Sequence, residues 1–183
     1  MNLLDDALAP DRERAGALTA PFFVRMRALA DYTLTQGAHG ILYTCSAFGA
    51  AIEATAKALP VPVLTPNEAM FAEAIASGKR IGMLATFQAS VAGMEAEFRA
   101  LAPGGTTIET VCVAEARRAL DAGDVARHDD LLAEAAPKLA QCDCVMLAHF
   151  STATALAKVA QHIKAPVLTA PGSAVRKLKS LLA

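Results

Sequence analysis

The chain of 183 residues contains no tryptophan, and aromatic residues make up only 5% of it although 54% of the residues are hydrophobic. Much of the apolar content is therefore alanine, which favours packed helices over an aromatic-rich interior. No apolar run approaches the roughly 18 residues needed to cross a bilayer, so no membrane partner is expected. A secretory leader is also not evident. The opening MNLLDDALAPDRERAG is acidic and polar where a leader would be basic and then apolar. Neither sign of charge dominates: seventeen basic and eighteen acidic residues leave a net charge of −1. Without a basic stripe, nucleic acid is not an expected partner. Four cysteines, at 45, 112, 142 and 144, suggest no disulfide framework, and a reducing cytoplasm is the expected setting. Cys142 and Cys144 lack a second ligand pair, so no metal is expected and both read as core.

What is present is a regular alternation of short β-rich runs with longer Ala/Leu-rich helical patterns. Strands are predicted at 39–44, 62–65, 80–85, 107–113, 143–148 and 166–169. Their nearly continuous apolar character is that of strands buried on both faces, as in a parallel sheet. Helical periodicity is predicted over 20–36, 48–59, 67–77, 88–102, 124–141, 152–164 and 171–182. Gly37, Gly78 and Gly123 fall where helices should stop, and Pro60, Pro62, Pro66 and Pro171 punctuate turns. The length supports one large domain or two small ones, and the alternation is that of an α/β fold.

The most informative feature is an internal repeat. Residues 41–65 read ILYTCSAFGAAIEATAKALPVPVLT, and residues 145–169 read VMLAHFSTATALAKVAQHIKAPVLT. A shift of 104 positions, the separation of Cys45 and His149, makes the closing PVLT coincide and sets Leu42 on Met146 and Ala51 on Ala155. Two related halves are therefore expected: 1–66 plus 171–183, and 67–170.

In parallel sheets ligands settle beyond the carboxyl ends of the strands, where both Cys45 and His149 are predicted to lie. A cysteine at a strand-to-helix turn feels the helix N-terminus, which favours the thiolate. The backbone N–H groups of Ser46, Ala47 and Phe48 are placed to hold a carboxylate. Phe150, Ser151 and Thr152 form the mirrored set. Two acid/base groups at equivalent positions suit proton transfer, since the ordinary pKa of histidine, about 6.5, lets it give or take a proton near neutrality. A Cys–His hydrolase, with Cys45 attacking an acyl group, fits that equivalence less well.

The segments LYTCSAFG, PVLTPNEAMF, RIGMLATF and LAHFSTA resemble the aspartate/glutamate racemase superfamily, which includes hydantoin racemases, maleate isomerases and arylmalonate decarboxylases. The resemblance runs from about NLLDDAL to SAVRKL. It implies two pseudosymmetric parallel-sheet (flavodoxin-like) α/β halves with a cleft between them, no cofactor, and a small-molecule carboxylate substrate. It also implies a cysteine from each half acting on opposite faces of the substrate. The first of these maps to Cys45. The second maps to His149, a departure from the two-thiol pattern that leaves racemisation, one-sided decarboxylation and carboxylate binding without turnover all open. The family's ATxxT-like segment corresponds to Thr86 and Ser90, which the resemblance makes substrate-binding, beside Ser46, Ala47, Phe150 and Ser151. Helix capping by Thr86 and Ser90 is the competing assignment. Superfamily members usually begin with a strand that is not evident here. A naturally short form, a start placed downstream of the real one, or a missing strand would each account for that, and a bare sheet edge would favour a partner. With a mean hydropathy of +0.36, the composition is compatible with a homo-oligomer. Asn67 and Glu68 are expected to open a helix, Cys112 to lie in the core, and His128 to sit in a solvated helix start. His39 and His162 flank strands without an evident partner.

Overall fold

A computed structural model describes residues 1–183, and the chain divides into two compact units. The first comprises Met1–Glu68 and Ala174–Ala183, and the second Ala69–Ser173.

The first unit contains α1 (Leu8–Ala15), α2 (Ala20–Thr35), β1 (Ile41–Leu42), a 3-10 turn at Ser46–Phe48, α3 (Gly49–Ala58) and β2 (Val63–Leu64). It also takes most of the last helix, α9 (Ala170–Leu182). β1 and β2 pair in parallel, Ile41 on Val63 and Leu42 on Leu64. Phe22, Met26, Phe48, Ala51 and Ile52 form its core. The rings of Phe22 and Phe48 lie 5.9 Å apart, a tilted aromatic contact. The Tyr43 hydroxyl donates to the Met26 carbonyl at 2.9 Å and ties the end of β1 to α2. Arg25 bridges Asp5 and Asp11, its Nη1 reaching Asp11 at 2.6 Å, and so fastens the N-terminal segment and α1 to α2.

The second unit is a four-stranded parallel sheet in the order β4-β3-β5-β6. Its strands are β3 (Arg80–Ala85), β4 (Thr107–Cys112), β5 (Cys144–Leu147) and β6 (Val167–Thr169). Its helices are α4 (Glu68–Ser77), whose first residue closes the first unit, α5 (Gln88–Leu101), α6 (Ala114–Asp121), α7 (Val125–Ala135) and the short α8 (Leu156–Val159). The period-2 geometry of a strand divides the core cleanly. Ile81, Met83 and Ala85 of β3, with Cys144 and Met146 of β5, pack against Met70, Phe71 and Phe98 from α4 and α5. Leu84, Val145 and Leu147 point the other way, onto Ala116, Leu132 and Val159 from α6, α7 and α8. Both central strands are thus covered on both faces, which is why they read as unbroken apolar runs.

The repeat survives down to the register of the strands. Ile41 pairs with Val63 as Val145 pairs with Val167, and Leu42 with Leu64 as Met146 with Leu168, each shifted by 104. The Ile41 amide donates to Pro62 at 2.8 Å, and the Val145 amide to Pro166 at 2.9 Å. A 3-10 turn follows in each copy, at Ser46–Phe48 and at Phe150–Ala155.

Several expectations need correction. His128 is fully buried, not solvated, because α7 turns His128, Asp129 and Leu132 inward. Its Nδ1 lies 2.7 Å from Asp129 Oδ1, which also accepts the Thr154 hydroxyl at 2.7 Å. The helix expected over 124–141 ends at Ala135 and continues as a 3-10 turn through Leu139, since Pro137 has no amide to donate. The helix expected over 152–164 is mostly the 3-10 turn, with α8 only four residues long. Cys142 and Cys144 are both buried, yet they belong to opposite core faces, because Cys142 precedes the strand. Cys112 is only half-buried. Gly78 directly follows α4, as expected, and the position requires glycine: a Cβ there would fall 2.3 Å from Asp143 Cβ, whose carboxylate accepts the Lys79 and Arg80 amides at 2.9 Å.

Candidate active site

In the second unit the chain leaves β3 toward β4 on one side and leaves β5 toward β6 on the other. Consecutive crossovers diverging in this way open a crevice at the carboxyl ends of β3 and β5. The Ala148 amide donates to Leu84 at 2.9 Å, so the two strand ends are held side by side. Thr86 and His149, just beyond these ends, therefore belong to neighbouring loops. Thr86 is buried at the end of β3.

Ser90 sits in the first turn of α5, inside the helix predicted over 88–102. Its Oγ is 2.9 Å from Nε2 of His149 and donates to the Phe87 carbonyl at 2.8 Å. Of the residues assigned from the sequence, these two are the pair brought into direct contact. The Nδ1 of His149 is buried with no hydrogen-bond partner. Burial, and secondarily the Arg117 guanidinium, pushes the His149 imidazole below its ordinary pKa. The neutral ring is thereby favoured at neutral pH. Arg117 itself lies over the Phe87 ring, 5.7 Å from its centre, and is paired with Asp121 at 2.8 Å.

The backbone of His149 is unusual. It has φ 73° and ψ 150°, and it is the only non-glycine residue with positive φ. That region is essentially reserved for glycine, and its use by other residues concentrates at functional sites. Thr152 holds the conformation in place, its hydroxyl bonding to the carbonyls of Ala148 and, at 2.9 Å, His149. Phe150 is half-buried against the core, and Ser151 is exposed. Arg117 and the His128–Asp129–Thr154 group were not identified as functional from the sequence, and Thr152 was singled out there for its backbone N–H, not for its hydroxyl. Only Thr152 carried a local signal, a hydroxyl three residues after the candidate histidine.

In the first unit, Cys45 is exposed and extended, with φ −126° and ψ 118°, and it immediately precedes the 3-10 turn. Ser46 and Ala47 are exposed beside it, while Phe48 is buried. The other three thiols are disfavoured as nucleophiles. Burial raises Cys112 and Cys142 and lifts Cys144 to about 11. A cavity of about 580 Å³ runs along β1, lined by residues including Leu4, Met26, Ala30, Leu42, Thr44 and Cys45. This is the size of a small-ligand pocket. No group of three or more His, Cys, Asp or Glu side chains is placed to hold a metal ion. No helix is long and apolar enough to cross a membrane.

These features define a parallel α/β protein with proton-active side chains at the carboxyl ends of its strands. Solved structures share the fold. Unliganded arylmalonate decarboxylase superposes with a TM-score of 0.64 at 18% identity, over 91% of this chain and 78% of that one. Allantoin racemase from Klebsiella pneumoniae gives 0.63 at 17% identity, covering 87% and 64%. A glutamate racemase isoform from Bacillus anthracis gives 0.62 at 15% identity, covering 87% and 65%. No curated protein sequence matches the chain. The family described as Asp/Glu/hydantoin racemase matches residues 3–102. The chain belongs to that family. The matched stretch holds Cys45, Thr86 and Ser90, whereas His149 lies beyond it.

Proposed function

We propose that this protein is a cofactor-independent enzyme that moves a proton at the carbon next to a carboxylate or related acyl group. Cys45 and His149 are the two acid/base groups, and the reaction is a racemisation or isomerisation of an amino acid or similar small acid. The observation that carries this reading is the register-exact repeat, which sets a thiol and an imidazole at the same step past equivalent strands. The lowered pKa of His149 supports its role as a proton acceptor at neutral pH. Thr86, Ser46, Ala47, Phe150 and Ser151 are assigned to hold the substrate. Relatives of similar fold carry the names of glutamate, allantoin and arylmalonate, so the substrates to try are small amino acids, hydantoin-like rings and substituted malonates. The test is incubation in D₂O with each class. Deuterium should enter at the α-carbon with the wild-type chain and not with Cys45→Ala. No incorporation with any of them defeats the reading.

A second reading draws on the unequal settings of the two groups. Cys45 is exposed, while His149 is tied to Ser90. In one-sided decarboxylation the bond to the departing CO₂ breaks, its electron pair stays on carbon, and the Cys45 S–H supplies the proton. Release of CO₂ from a substituted malonate, without deuterium exchange into the amino acids or hydantoins, would favour it.

A further inference from the structure

The strand order β4-β3-β5-β6 sets three loops side by side at the carboxyl ends of the strands, those that follow β4, β3 and β5. Two amides tie these ends together, Val113 donating to Ala85 at 2.7 Å and Ala148 to Leu84 at 2.9 Å. The loop after β4 enters α6, whose Arg117 guanidinium lies over the ring of Phe87 from the loop after β3, 5.7 Å from its centre. The Phe87 carbonyl accepts the Ser90 hydroxyl at 2.8 Å, and that oxygen is 2.9 Å from Nε2 of His149, which follows β5. One aromatic residue thus joins a cation to the hydroxyl that meets the imidazole.

Arg117 is held in place but its donors are not used up. Its Nε donates to both oxygens of Asp121, at 2.8 and 2.9 Å, while neither Nη group has a hydrogen-bond partner. The side chain is about half-exposed. A guanidinium stacked on a ring and pinned at Nε has lost much of its freedom before a ligand arrives, which lowers the entropic cost of binding. The charge that reaches His149 is that of Arg117 and not that of Asp121, so the crevice presents a positive rim.

We propose that Arg117 receives a carboxylate of the substrate on its two Nη groups at the rim of the β3–β5 crevice, and so restricts the site to anionic acids and excludes neutral hydantoin-like rings. Two parallel N–H···O bonds from one planar fork are the strong geometry for a carboxylate. For turnover this rests on the proposed function and narrows its substrate class. Binding of the anion does not depend on any activity.

The test is titration of the ¹⁵N-labelled full chain at pH 7.5 and low ionic strength, with malonate as the anion and malonamide as its uncharged counterpart. Malonate should give saturable shifts in the amides of Phe87, Ser90 and Phe150, and malonamide should give none. Arg117→Gln should weaken malonate about tenfold or more, and Arg117→Lys, which keeps the charge and loses the fork, should fall between. Arg118→Gln, which removes a neighbouring exposed cation paired with Glu115, should bind as the wild type does. Unchanged far-UV circular dichroism in each variant checks folding. Malonate without saturable shifts in the wild type, equal binding of malonamide, an unaffected Arg117→Gln, or an equal loss in Arg118→Gln overturns the proposal. Where the D₂O assay detects turnover, Arg117→Gln should raise KM about tenfold or more with a smaller change in kcat. Turnover of a hydantoin as readily as of an acid also overturns it. Should the wild type exchange nothing, the functional reading fails while the malonate titration still decides the role of Arg117.

Discussion

Replacing His149 by glycine should leave a more stable protein than replacing it by alanine. At φ 73° and ψ 150° any residue with a Cβ is strained, at a cost of about 1–3 kcal/mol. The strain has no easy release. Thr152 holds the carbonyls of Ala148 and His149, and Ser90 holds the ring. His149→Ala removes the ring and its contact with Ser90 but keeps the strained backbone. His149→Gly removes the same ring and also relieves the strain, against an entropic cost for glycine of about 0.5–1 kcal/mol. The difference between the two variants cancels the lost side-chain contacts and leaves glycine ahead by about 1 kcal/mol, the mid-value of a range from about 0 to about 2.5 kcal/mol. The equivalent position in the other repeat supplies the control. Cys45 is ordinary extended backbone, with φ −126°, so Cys45→Gly should be the less stable of its pair by about 0.5–1 kcal/mol. Urea unfolding followed by circular dichroism, with linear extrapolation and equal m-values, reads both differences. An alanine variant at 149 as stable as the glycine variant, or an equal preference at both positions, would refute the strain argument.

Iodoacetamide at pH 7 should modify Cys45 first and leave Cys144 intact in the folded chain, since Cys45 is exposed while Cys144 is buried with a pKa of about 11; mass spectrometry of peptides after short exposure reads the order. Removing the Arg117 charge in Arg117→Gln should raise the NMR titration midpoint of His149, because that charge opposes its protonation. As the folded value lies below the unfolded value of about 6.5, the unfolded chain binds more protons in that window. The contribution of His149 to stability should therefore rise with pH up to about 6.5 and be lost below it. His128→Ala should destabilise the chain by about 2–4 kcal/mol, from the cavity it leaves and from the bond lost to Asp129; a change under 0.5 kcal/mol in urea unfolding would show that the buried pair contributes little.

The readable parts of the fold were those governed by local chemistry. The apolar runs of β3 and β5 announce strands covered on both faces, and structure bears this out with alternate residues in opposite core clusters. The two helices missed, α1 and α6, are short and carry almost no apolar face: α1 buries nothing and α6 only Ala116. What they do carry are charge pairs, such as Arg117–Asp121 and Arg118–Glu115 within α6, and hydrophobic periodicity does not report these. His128 was misread for the converse reason. The stretch GDVARHDD looks polar throughout, and only the packing of α7 against the sheet shows which polar residues turn inward. The 3-10 turn after His149 replaces the expected helix where the Thr152 hydroxyl bonds the carbonyls behind it.

The sequence by itself determined the repeat, whose closing PVLT returns as the same strand pairing in both copies. It also singled out Cys45 and His149. The meeting of Ser90 with His149 across 59 positions of chain was decided only by tertiary structure, as were the enclosed Nδ1 and the glycine-like backbone beneath it. These depend on β3 lying next to β5. A hydrogen bond between loops is set by that neighbouring of strands, and no spacing along the chain records it.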